Sequence, residues 1–151
     1  PVVTLWARLE GDIDNKTAAC YVLVQIAGGI LGVIAANVIF ELDAINWSTR
    51  DRSDPALWLS EVIATFGLLM VIIGVVRSRK DHWVAISVAA YIAGAYFFTS
   101  STSFANPAVT IARTFSDTFA GIQPSSAPMF ILCQIIGCLL AVGVMRVTHP
   151  K

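Results

Sequence analysis

The chain has 151 residues, 56% hydrophobic and only 13% charged, with ten basic and ten acidic side chains and a formal net charge of zero. Soluble domains carry about 45–50% apolar and about 25% charged residues, so the composition excludes an ordinary water-soluble domain and asks for lipid around the outside. Zero net charge leaves no basic groove for nucleic acid, and the three cysteines, Cys20, Cys133 and Cys138, lie in apolar runs without CxxC spacing, so no metal or disulfide framework is expected.

The chain opens on Pro1-Val2-Val3-Thr4-Leu5, with neither an initiator Met nor a basic leader, and reads as an excised piece. Residues 18–40 are free of charge and read as a first membrane span. The loop that follows carries Glu41, Asp43, Asp51 and Asp54 against Arg50 and Arg52. Residues 57–76 make a second span with one charge, Glu61, and Arg77, Arg79 and Lys80 cluster just after it. Basic residues in short loops are retained on the cytoplasmic side. That rule puts the 77–80 loop inside and the acidic loop outside, and the tail with Arg146, His149 and Lys151 agrees with it. Residues 83–98 are uncharged but shorter than the ~20 that a straight span needs, so a third span over 83–100 requires Thr99 and Ser100. A fourth span covers 128–147, with Arg146 near its end. Trp47, Trp58 and Trp83 lie near span ends, where amphipathic rings sit at the headgroup level.

Self-comparison finds an internal repeat. Pro1-Val2-Val3-Thr4-Leu5 returns as Pro107-Ala108-Val109-Thr110-Ile111, and Val24-Gln25-Ile26-Ala27-Gly28 as Cys133-Gln134-Ile135-Ile136-Gly137. Each box is followed by a span with Gln-x-x-Gly, and the topology brings the two boxes in from opposite sides, an inverted repeat of the kind common in transport proteins. In the second box Asn106 is a favoured N-cap and Pro107 suits the first helical position. Residues 107–115 then allow about two turns, too few to span. Such a segment is tolerated at membrane depth only where it is buried in protein or lines an aqueous cavity. Its positive end repels cations, while the Asn106 amide and the carbonyls of residues 99–105 offer hydrogen bonds to a neutral molecule.

The run from Ser103 to Arg113, centred on Asn106-Pro107-Ala108 and set between two spans, resembles the second Asn-Pro-Ala box of the major intrinsic proteins, the aquaporins and glycerol facilitators. Glu61-Val62-Ile63-Ala64-Thr65-Phe66 is similar to the family's Glu-x-x-x-Thr-Phe signature, and Pro1-Val2-Val3-Thr4-Leu5 is similar to the first box without its asparagine. The resemblance implies an all-α membrane protein: an inverted-repeat helical bundle with re-entrant half-helices at 1–9 and 107–115, its first two spans and first Asn lying upstream of Pro1. It implies a passive channel in the cell membrane, of bacterial type, for water or small neutral solutes, with no cofactor and a homotetrameric assembly. Pore residues carried over are Pro1, Val2, Asn106, Pro107 and Ala108. The outer filter falls on Gly94, Ser103 and Val109. Val109 stands where the family carries Arg, and Arg113 lies one helical turn on. Such a filter is wider and less polar, favouring glycerol-like solutes over strict water selectivity, and the extended box points to neutral arsenic acid as a further solute. An inverted-repeat secondary transporter and a non-conducting truncated subunit are the alternatives.

Glu61, the one carboxyl inside a span, costs on the order of 2.5–3.5 kcal/mol if left unpaired at a helix centre. The resemblance implies a buttress accepting backbone N–H groups from residues 103–105; a proton relay is the alternative. Gln25 and Gln134 are expected to bond across helices. Gly28, Gly32 and Ala36, Ala85, Ala89 and Ala93, and Gly137 with Ala141 read as packing seams. Arg113 and Asp117, at i and i+4, read as an ion pair. His82 and His149 belong to no triad-like grouping, and no phosphate loop is present, so catalysis has no support.

Overall fold

The computed structural model describes residues 1–149, which form six α-helices and no strand. Pro150 and Lys151 lie outside the described residues, so the basic tail is described only as far as His149.

Helix α1 (Val2–Glu10) is short and stops at Gly11, whose left-handed φ of 84° lets the next amides turn back onto Ala7 and Arg8. Helix α2 (Asn15–Ile39) starts at Asp14, whose carboxylate accepts the Thr17 N–H at 2.8 Å. Helix α3 (Pro55–Arg77) starts at Asp54, which accepts the Ala56 N–H at 2.7 Å with Pro55 in the first turn. A 3₁₀ turn, Asp81–Trp83, leads into α4 (Val84–Phe98). Helix α5 (Pro107–Ala112) runs into a second 3₁₀ turn, Arg113–Phe115, and α6 (Ala127–Thr148) closes the order.

Helices α2, α3 and α6 are long and apolar enough to cross a membrane. Helix α4 has 15 residues, roughly 22 Å at 1.5 Å per residue against a ~30 Å hydrocarbon core. It ends at Phe98 instead of running on through Ser100, because Thr99 is extended and its hydroxyl turns back to the Ala95 carbonyl at 2.6 Å. The chain re-enters the bundle there.

The main core lies between α3 and α6, with Leu68, Leu69, Ile72 and Ile73 against Cys138, Ala141, Val142 and Met145, and Val2 and Trp6 of α1 close one end. Gly137 permits that approach: a Cβ there would stand 2.5 Å from the Val62 carbonyl. Helix α2 buries only Asn37, and its tight contact is made by Gly29, against Ala108 and Ala112, whereas Gly28 and Gly32 meet nothing within 4 Å of a Cβ. Both half-helices, α1 and α5, touch both α2 and α6. The architecture is the all-α inverted-repeat membrane bundle expected from the sequence.

Candidate functional site

Asn106 is extended (φ −158°, ψ 117°) and its Oδ1 accepts the N–H groups of Ala108 at 2.9 Å and Val109 at 3.4 Å. Because those donors need an oxygen, the amide has one orientation, and Nδ2 donates to no described residue. Pro107 is buried at the first helical position. Pro1, Val2, Pro107 and Ile111 line one apolar cavity of about 310 Å³. The two boxes, far apart in the chain, therefore begin their half-helices at one cavity.

The loop into α5 carries three non-glycine residues in the left-handed region, Thr102 (φ 63°), Ser103 (50°) and Ala105 (49°). Each costs on the order of 1–3 kcal/mol and needs surroundings that hold it. Glu61, fully buried on α3, supplies them: Oε1 accepts the Phe104 N–H and Oε2 the Ala105 N–H, each at 2.9 Å. Ser103 is not one of the donors; its N–H goes to the Ser101 hydroxyl at 3.2 Å. With these amides drawn inward, the carbonyls of residues 103–105 accept no hydrogen bond among the described residues.

Gln134 of α6 extends this network. Its amide donates to Glu61 at 2.6 Å and to the Thr110 hydroxyl at 2.8 Å, and Thr110 donates in turn to the Asn106 carbonyl at 3.0 Å. Gln25 of α2 donates to the Thr4 hydroxyl at 3.0 Å. In both repeats, then, the glutamine of the span ties down the threonine of its own box.

The filter positions are spread around this centre. Gly94 is exposed on α4, with open space where a side chain would start. Ser103 is buried, and its hydroxyl has no hydrogen-bond partner among the described residues. Val109 is half-buried on α5. Arg113 lies over the Phe104 ring at 4.3 Å, donates to the Tyr96 hydroxyl at 3.0 Å, and lines a cavity of about 460 Å³ beside Asn37 and Phe40. It forms no ion pair with Asp117, which turns to the Thr49 N–H and hydroxyl at 2.9 and 3.1 Å because the 3₁₀ turn breaks the helical i, i+4 spacing.

The sequence marks Arg52 only as a loop charge. In the fold it is buried to 3% exposure, donating to the carbonyls of Gly121 (2.8 Å), Ser101 and Phe119 (both 3.1 Å), with its guanidinium 4.8 Å from the Phe104 centroid. Burial, and then the charges of Arg50 and Arg113, push its pKa down to about 10, with Glu61 acting in the opposite sense. Nothing in the local sequence identifies an arginine close to two aspartates as a clamp. Gln134, by contrast, was signalled by its place in the repeat.

The chain is 42% identical over 146 residues to aquaglyceroporin AqpS of Rhizobium meliloti (strain 1021), an alignment covering 97% of this chain and 62% of that protein. It thus spans less than two thirds of that relative's length. No family model and no solved structure matches the chain.

Proposed function

Because the chain belongs to the family of aquaporins and glycerol facilitators, we propose that it contributes the larger part of a passive channel for water and small uncharged solutes of glycerol size, neutral arsenic acid included. One observation carries this reading: Pro1 and Pro107 line a single cavity, and the residue before Pro107, Asn106, has its amide oxygen engaged by the Ala108 N–H while its nitrogen donates to no described residue. Unpartnered carbonyls leading to that amide give a neutral solute a sequence of acceptors ending in a donor. Two half-helix starts at one cavity oppose the passage of cations.

Gly94 and Val109 are the small or apolar sides of the filter, and Arg113 is its cation. Basic residues at 77–80 favour a cytoplasmic place for that loop and for the end of α6. Homotetramer formation is part of the same reading. A secondary transporter needs midplane ligands for a coupling ion. Glu61, the only carboxylate within a span among the described residues, is already engaged by three donors, which favours the channel. Stopped-flow light scattering on proteoliposomes carrying the full-length polypeptide tests the proposal. Water and glycerol flux that follows the osmotic gradient without proton leak is expected. Saturating flux that requires a sodium or proton gradient overturns it in favour of the transporter, and no flux at all favours the non-conducting subunit.

A further inference from the structure

Two guanidinium groups share the Phe104 ring, Arg113 at 4.3 Å and Arg52 at 4.8 Å, and no carboxylate among the described residues forms an ion pair with either. They are held very differently. Arg52 is anchored by three backbone carbonyls and cannot yield to the repulsion between the two cations. Arg113 has one polar partner, the Tyr96 hydroxyl at 3.0 Å, and its Nη1 is buried without an acceptor. A long, half-exposed side chain repelled from one side turns outward toward water unless something retains it. Here the retaining groups are one ring and one phenol.

We propose that Tyr96 is a specificity-determining residue: its hydroxyl fixes the Arg113 charge at the constriction, one helical turn beyond Val109, and so sets how strongly the passage rejects cations. Tyr96 acts as a positioning residue, through Arg113, and the proposal rests on the channel reading above. Tyr96→Phe keeps the ring and removes only the hydrogen bond.

The test uses proteoliposomes of the full-length polypeptide and compares methylammonium, cationic at neutral pH, with glycerol. Tyr96→Phe is expected to leave glycerol flux within about twofold of the unaltered protein and to raise the methylammonium-to-glycerol ratio about tenfold, a factor equivalent to roughly 1.4 kcal/mol. Arg113→Gln should raise the ratio at least as far, and adding Tyr96→Phe to it should change nothing more. Tyr96→His, whose ring nitrogen can accept from a guanidinium, should bring the ratio back down; a ratio that stays high overturns the hydrogen-bond account. An unchanged ratio in Tyr96→Phe beside a raised one in Arg113→Gln overturns the role of Tyr96 and leaves the channel standing. If Tyr96→Phe raises the ratio equally with and without Arg113, the residue acts independently and the proposal fails. Absence of glycerol flux in the unaltered protein overturns the channel reading itself, and this inference with it.

Discussion

The amide of Gln25 donates to the hydroxyl of Thr4 across 3.0 Å, and one repeat later Gln134 makes the same bond to Thr110 at 2.8 Å. The two bonds are not equal in consequence, because Gln134 is fully buried and also serves Glu61, whereas Gln25 lies on an exposed part of α2. Gln134→Leu leaves a buried carboxylate short of one donor and should cost about 1–3 kcal/mol. Gln25→Leu should cost about 1 kcal/mol or less. Unfolding midpoints in mild detergent rank the two.

Three donors converge on Glu61. Glu61→Gln keeps one oxygen but turns an NH₂ toward a donor, while Glu61→Leu keeps neither oxygen and frees both loop amides. The leucine variant is expected to lose monodisperse protein on size exclusion, and the glutamine variant to retain a reduced but folded fraction. Equal losses would remove hydrogen bonding as the reason this carboxylate is tolerated at membrane depth.

Gly137 and Gly143 lie on the same helix in opposite situations. A Cβ at Gly137 would press within 2.5 Å of the Val62 carbonyl, and one at Gly143 would meet nothing within 4 Å. Gly137→Ala should therefore destabilise by about 1–3 kcal/mol, the usual cost of overpacking, and Gly143→Ala should be neutral or slightly stabilising. Thermal melts of the two proteins give the comparison.

Val109→Arg places a guanidinium one helical turn nearer the free Asn106 amide than Arg113. On the proposed filter this narrows the passage, and glycerol flux should fall about tenfold or more while water flux falls far less. A uniform fall in both would mean that Val109 does not face the solute.

Asp51 accepts from the Ser53 N–H and hydroxyl and from the Ser126 hydroxyl, and the side-chain bonds from Ser53 and then Ser126 hold its carboxyl below the ordinary range. A lowered folded pKa gives stability that is present above the ordinary carboxylate value of about 3.9 and is lost as pH falls through the lowered one. Hydrogen exchange in residues 41–54, corrected for its intrinsic pH dependence, should report loosening as pH falls below about 4 in the unaltered protein, and Asp51→Asn should remove that part of the pH response.

The span signals at α2, α3 and α6 were legible because a long run of uncharged, apolar residues has few stable environments besides a bilayer, and the boxes were legible because a repeated proline and threonine pattern survives without alignment. The end of α4 was not. Whether Thr99 continues a helix or bonds back to Ala95 is decided by the re-entrant loop beyond it, which Glu61 holds from another helix. The Arg113–Asp117 pairing failed for a related reason: i, i+4 logic holds on an α-helix, and the chain tightens to a 3₁₀ turn at Arg113. Arg52 was invisible because its partners are backbone carbonyls, which every residue has and no side-chain pattern announces.

Residues 41–54 are tied to the far side of α5 by more than the Arg52 clamp: Asn46 and Ser48 donate to the Phe115 and Thr114 carbonyls, Gln123 donates to that of Arg50, and Trp47 stacks on Phe115 at 4.5 Å. A rim stitched at so many points has little freedom to act as a flap. On the proposed channel reading, solute entry from that side should therefore have the shallow temperature dependence of diffusion past a fixed aperture.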